Sequence, residues 1–233
     1  MEQKRIEVKN LTKTFGKQAV LRDISFTQNT GRSLAVLGAA ASGKSVLLKT
    51  LAGLYTPDKG DVLIEGQALS IEARRPRIGM LFQKNALFDS LTIWENIAFR
   101  LLSQNMTRPE AQEKVNALLP RVGLPMTTAL LYPSDLSGGM QKRVGFARAI
   151  ISAPDILLLD SPTDGLDPIL AARIDNMIAE ETQRHGANVI AATSTLSPAY
   201  DEIAVLADGM LYWHGTRQEA LASSDKHLKQ LLN

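Results

Sequence analysis

The sequence predicts an α/β fold with a mostly parallel central sheet, an N-terminal antiparallel β-subdomain and an inserted helical subdomain at about residues 90–150. Three observations carry this. The short, almost purely apolar runs at 33–37, 156–160 and 187–193 read as strands buried on both faces, the mark of a parallel sheet covered by helices. Helical patterns separate these runs. A loop of Gly, Ala and Ser joins the first run directly to a helix. At 233 residues, with 45% apolar and 21% charged side chains, the chain has the length and composition of one globular domain, and the expected unit is 1–233. Neither repeats nor a Pro/Ser-rich linker divide it.

The elements follow in order. Residues 6–26 alternate around Phe15-Gly16-Lys17, which predicts short antiparallel strands. Residues 33–37 form a strand ending at Gly38, and 44–54 turn helical. Strands are expected at 61–65 and 77–82, the latter ending at Gln83. From 90 to 123 the pattern is helical and polar on one side, with Thr92 or Ser90 placed to cap one helix and Pro109 near the start of another. Residues 136–153 open with Ser137-Gly138-Gly139 and continue as a basic amphipathic helix. A strand at 156–160, a helix at 167–185, a strand at 187–193, a hairpin around Asp208-Gly209 and a short amphipathic helix complete the chain.

Composition excludes several classes. Lys plus Arg number 26 against 24 Asp plus Glu, so a net charge of +2 gives no reason to expect a nucleic acid as partner. With no cysteine, disulfides and thiolate metal sites are ruled out, and the composition fits the cytosol. Residues 1–10 are charged and lack the apolar stretch of a signal peptide. No run approaches the roughly 20 apolar residues of a membrane-spanning helix, so a membrane role is expected through a partner.

The chemistry concentrates in Gly38-Ala39-Ala40-Ala41-Ser42-Gly43-Lys44-Ser45, which matches G-x-x-x-x-G-K-[ST] between a buried strand and a helix. A loop free of bulky side chains turns consecutive backbone N–H groups toward a triphosphate, and the helix N-terminus adds positive potential. The expected ATP contacts run from Gly38 to Val46, with Lys44 on the β and γ phosphates and the Ser45 hydroxyl on Mg²⁺. The bland alternative is a glycine-containing turn beside a surface lysine. Ala39, Ala40 and Ala41 stand where glycine or asparagine is frequent, and alanine fits there if its φ angles are negative. Asp160 ends the buried strand 156–160 in a carboxylate suited to Mg²⁺, although an Asp closing a strand is by itself commonly a turn residue.

The segment Leu136-Ser137-Gly138-Gly139-Met140-Gln141 adds a third motif, and with it the chain resembles the ABC ATPase family over almost its whole length. The resemblance implies that Ser137, Gly138 and Gly139 form a signature loop offered to the γ-phosphate bound by a second copy or a homologous cassette. It further implies that Phe15 stacks on adenine, that Gln83 is a catalytic and Mg²⁺-contacting glutamine, and that Asp167, in Gly165-Leu166-Asp167-Pro168, belongs to the D-loop. Taken alone, Phe15 reads as a hairpin-edge aromatic and Gln83 as a polar strand end. Residues 79–99 resemble more narrowly the ATPase of Mla-type phospholipid transporters, which work with MCE proteins in Gram-negative envelopes. That likeness implies a transmembrane permease, an MCE-type lipid-binding protein and a peripheral position on the cytoplasmic face of the inner membrane. Ala86, Leu87, Phe88, Trp94 and Phe99 would then offer apolar contacts to a coupling helix, with core packing the competing reading for half the aromatics.

Two positions depart from the family. Where most active members carry Glu after the strand-ending Asp, this chain has Ser161, and where the family has a switch histidine it has Ser194. All three histidines, His185, His214 and His227, lie elsewhere. A hydroxyl of high intrinsic pKa cannot act as a base near pH 7, so ATP binding is expected to outlast catalysis and hydrolysis to be slow unless another group substitutes. A degenerate regulatory subunit and a soluble ABC protein of repair or translation are the alternative functions.

Overall fold

The computed structural model describes residues 4–68, 76–225 and 228–229. Along the chain lie β1 (Lys4–Phe15), β2 (Gln18–Asn29), β3 (Ser33–Leu37), α1 (Lys44–Leu51), β4 (Lys59–Ile64), β5 (Gln67–Ala68) and β6 (Ile78–Leu81). They are followed by α2 (Ile93–Ser103), α3 (Arg108–Leu118), α4 (Gly138–Ile150), β7 (Ile156–Asp160), α5 (Pro168–Gln183), β8 (Asn188–Ala192), β9 (Glu202–Ala207), β10 (Met210–Thr216) and α6 (Arg217–Ala222). The N-terminal strands are longer than their alternation predicted, because register shifts along the β1–β2 ladder let both bend without ending. Two 3₁₀ turns, Met126–Leu130 and Pro133–Asp135, join α3 to α4. They are too short for the sequence to show a helical period.

Two sheets result. One is antiparallel in the order β2-β1-β4-β5, and the other has six strands in the order β10-β9-β3-β8-β7-β6. In the second, β9, β3, β8, β7 and β6 run parallel and only β10 is antiparallel, at the edge. Pleating sends alternate side chains of the apolar strands to opposite faces. Leu34, Val36, Leu158 and Ile190 pack with Leu47 and Leu48 of α1 and with Ile6, Leu11 and Ile24 of the antiparallel sheet. Ala35, Leu157, Leu159, Val189 and Ala191 pack on the other side with Ile97, Val144, Phe146 and Ile178 from the helices. Each buried Leu, Ile, Val or Phe among them contributes about 1.5–3 kcal/mol of transfer free energy, which explains why these strands carry no polar face.

The helices begin where capping chemistry allows. Glu95 Oε2 accepts from the N–H of Thr92 at 3.1 Å and from its hydroxyl at 2.8 Å, fixing the start of α2 at the first of the two predicted caps. Thr107 and Glu110 repeat the arrangement at α3, with Pro109 in its first turn. Ser137 caps α4, its Oγ accepting from Met140 N at 3.3 Å, and Asp167 Oδ1 accepts from the amides of Ile169 and Leu170 at the head of α5. Each cap contributes on the order of 1 kcal/mol and sets where the preceding loop ends.

Candidate functional site

Three loops leave the C-terminal ends of β3, β8 and β7, which are adjacent in the sheet, and there they enclose a cavity of about 700 Å³. Ligand crevices of open α/β sheets form at this edge. Gly38, Ala40, Ala41, Ser42, Gly43, Lys44, Ser45 and Val46 form one wall, while Gln83, Asp160, Ser161 and Ser194 form the others. Ala39 stands behind the wall, its carbonyl accepting from Ser42 N at 3.3 Å and from the Lys44 ammonium at 2.8 Å.

The loop fits the backbone only because of its glycines. Gly38 has φ +151°, and a Cβ there would sit 2.2 Å from the carbonyl oxygen of Leu206. Gly43, at φ +105°, turns the chain into α1. The condition that alanine meets negative φ fails at one position: Ala41 has φ +61°. A Cβ in that left-handed region approaches its own carbonyl, a cost of about 1 kcal/mol of the kind stored at ligand-binding turns. Ser161 shares this conformation at φ +57°, with its N–H held by Ala192 O at 2.8 Å.

Charge in the cavity is set by burial. Burial pushes the Asp160 carboxyl up, opposed by a hydrogen bond from the Ser45 hydroxyl and by the charges of Lys49 and Lys44. Burial also pushes the Lys44 ammonium down, against the attraction of Asp160 and Asp164. Lys44 Nζ donates to Gly38 O at 2.6 Å, keeping the cation inside the loop. The buried Ser42 hydroxyl has no hydrogen-bond partner among the described residues, although it lines the cavity. An unsatisfied buried donor of this kind costs about 1–3 kcal/mol unless a ligand accepts from it. Phosphate oxygens fit Ser42, the first-turn amides of α1 and Lys44 together. For Mg²⁺ the donors present are the hard oxygens of Ser45 and Asp160, in contact with one another. Among the described residues no group of three His, Cys, Asp or Glu could hold a metal by itself, so such an ion would need phosphate oxygens as well.

The other expected residues lie apart from this cavity. Ser137 and Gly138 are exposed at the head of α4, and Gly139 is partly covered by Leu166. Asp167 is engaged in capping α5. Phe15, at the end of β1, is 42% exposed and meets Tyr55 edge to face at 5.2 Å. His185 follows α5, His214 lies on β10 3.7 Å from Glu202, and His227 is outside the described residues. Of the five groove candidates, Trp94 is 6% exposed and belongs to the core, with Arg108 over its ring, and Leu87 packs partly against that core. Phe88 and Phe99 stay exposed, with ring centroids 4.7 Å apart. They line a second cavity of about 410 Å³ with Phe82 and Ala86, floored by Arg148, which donates to the carbonyls of Asn85 and Ala86.

Sequence patterns missed several cavity residues. Gln18, Ala19, Val20 and Arg22 reach it from the start of β2, and Asp208-Gly209 from the β9–β10 turn. That turn was legible as a turn, but its docking on β2, through Arg22 N to Gly209 O at 2.7 Å, was not. Asp164 and Thr193 also line the site.

Comparison with known proteins agrees with this architecture. Residues 21–164 match the profile of the ABC transporter family. Curated relatives include the Arabidopsis thaliana chloroplastic protein trigalactosyldiacylglycerol 3, 36% identical over 97% of this chain and 72% of its own length. The methionine import ATP-binding protein MetN of Protochlamydia amoebophila is 37% identical over 90% of this chain and 66% of its own. A probable ribonucleotide transport ATP-binding protein of Mycobacterium leprae is 34% identical over 98% and 68%. The chain thus spans about two thirds of the length of these relatives. Among solved structures, the ATP-binding cassette MJ0796, as a dimer in a post-hydrolysis state with ADP and Pi, superposes with a TM-score of 0.85 at 27% identity, covering 91% of this chain and 98% of that one. The chain belongs to the ABC transporter family as one of its ATP-hydrolysing cassettes.

Proposed function

We propose that this chain is the ATP-binding, energising subunit of a membrane transporter for phospholipid in a Gram-negative envelope, and that it closes as a dimer on ATP. The observation that carries the reading is the convergence of Lys44, Ser45, Gln83 and Asp160 on one cavity beside the unsatisfied Ser42 hydroxyl. Residues 38–46 hold the triphosphate, and Phe15 with Tyr55 offers an aromatic face for adenine. Ser45, Asp160 and Gln83 hold Mg²⁺, which supplies charge neutralisation on the phosphates. Ser137 and Gly138 are exposed and Gly139 is half-buried beside them, outside their own chain's cavity, as a loop that serves the site of a twin molecule must be. A two-fold pair satisfies both sites at once, with Asp167 near the junction. The apolar cavity of Phe82, Ala86, Phe88 and Phe99 receives a helix of the permease.

A lipid cargo is supported by residues 79–99 and by the relative named for trigalactosyldiacylglycerol, and with it an MCE-type partner and a site at the cytoplasmic face of the inner membrane. Among the described residues no helix is long and apolar enough to cross a membrane. Ser161 and Ser194 favour slow hydrolysis, and they are also what a regulatory ATP-binding subunit would carry. The test is direct. Lys44→Ala abolishes Mg²⁺-ATP binding and ATP-dependent dimerisation, while Ser161→Glu with Ser194→His raises turnover by about 10²-fold. Unchanged affinity in Lys44→Ala sinks the binding reading, and equal turnover in the double variant sinks the expectation of slow hydrolysis. Co-purification with a detergent-solubilised permease separates the transporter from the regulatory subunit.

A further inference from the structure

The wall beyond Asp160 holds a second carboxylate. Ser161 faces the cavity with a hydroxyl, yet Asp164, three residues further on, faces it too. Its position is fixed from two sides. Lys142 of α4 donates from Nζ to the carbonyl of Ser161 at 3.0 Å and to the carbonyl of Asp164, clamping the peptide that carries the side chain. Gly165, at φ +76°, turns the chain away directly afterwards, and Leu166 N closes the turn on Thr163 O at 3.1 Å. From the loop after β8, Ser194 donates its hydroxyl to Asp164 Oδ1 at 3.2 Å. Among the described residues no donor is placed on Oδ2. The carboxylate lines the same cavity as Lys44 and Asp160.

We propose that Asp164 is the carboxylate that orients and deprotonates the attacking water in this chain, with Ser194 as the positioning residue that holds its Oδ1. The two residues that replace Glu and His are serines, but one of them is hydrogen-bonded to a carboxylate in the same cavity, so the pair is relocated. This inference rests on the ATPase reading above. In the step, the water oxygen forms a bond to the γ-phosphorus while the bond from that phosphorus to the β–γ bridging oxygen breaks. The bridging electron pair leaves with ADP, and the water proton passes to Asp164 Oδ2 and from there to solvent. An aspartate is one methylene shorter than glutamate and sits on the next turn of the loop, which accords with turnover below that of a cassette with both usual groups.

The experiment measures turnover and Mg²⁺-ATP affinity side by side on the purified full chain. Asp164→Asn lowers turnover by about 10²-fold and leaves affinity within about threefold of the parent, since only the group acting on water is altered. Ser194→Ala lowers turnover by about threefold to tenfold at unchanged KM, the mark of a positioning residue. Adding Ser161→Glu to Asp164→Asn restores turnover, because the carboxylate returns to the other mouth of the same loop. Turnover in Asp164→Asn equal to the parent's overturns the assignment, as does loss of ATP binding along with turnover, failure of Ser161→Glu to rescue, or a parent chain that binds ATP and never cleaves it. A parent chain that does not bind Mg²⁺-ATP at all refutes instead the ATPase reading on which it rests.

Discussion

Asn96 offers a sharp test of how the fold holds the loop that carries Phe88. It lies on α2, is 0% exposed, and staples the preceding loop to the helix. Its Oδ1 accepts from Phe88 N at 2.8 Å, and its Nδ2 donates to the carbonyls of Phe88 and Leu91 at 3.0 Å and of Thr92 at 3.1 Å. Two amide hydrogens serve three carbonyls, so the side chain amounts to about three hydrogen bonds, each contributing about 1 kcal/mol net. Asn96→Ala removes them and leaves the N–H and carbonyl of Phe88 without that partner, whereas Thr92 O keeps its helical bond to Asn96 N at 2.9 Å. The expected loss is about 3 kcal/mol, or about 6–12 °C in Tm for a chain of this size. Asn96→Asp costs more, because it turns a carboxylate toward the same carbonyls. Urea unfolding of the purified chain reads the loss as a lower midpoint at unchanged slope. A destabilisation below about 0.5 kcal/mol would refute the accounting, since that is the size of a surface substitution. The segment so released carries Phe88, so weaker permease capture should accompany the loss.

Two further outcomes test the cavity and the sheet. Gly38→Ala should abolish ATP binding and cost about 3 kcal/mol, because its Cβ would meet Leu206 O at 2.2 Å with φ at +151°. Thermal unfolding and an ATP titration check both halves, and a variant with parental affinity contradicts the packing. Hydrogen bonds from Arg77 hold the Asp155 carboxyl below its usual range, against a smaller opposing push from burial. A carboxyl lowered in the folded state stabilises the fold above its unfolded pKa, and that stability is lost as pH falls through the lower folded value. Asp155→Asn should therefore reduce stability at neutral pH and flatten its decline below about pH 4, as followed by unfolding across a pH series. An unaltered acid limb would show that the Arg77 contact does not govern it.

The sequence by itself determined the covered parallel strands and the phosphate loop, because each is written in a few consecutive residues, while it left the start of α2 open between Thr92 and Ser90. Four apolar residues ahead of Asp160 read as a strand buried on both faces, and Thr92 is one of the two residues placed to cap α2. Tertiary structure alone decided the positive φ of Ala41 and Ser161, since those angles are imposed by what the loop must clear on either side. It also decided that residues 18–20 and the Asp208-Gly209 turn share a cavity with Lys44, and that Ser194 reaches Asp164 across 30 positions of sequence. The sheet orders its strands β3-β8-β7 and not by their place in the chain. Proximity at its C-terminal edge is therefore set by long-range packing of side chains on both faces, and no local pattern records it.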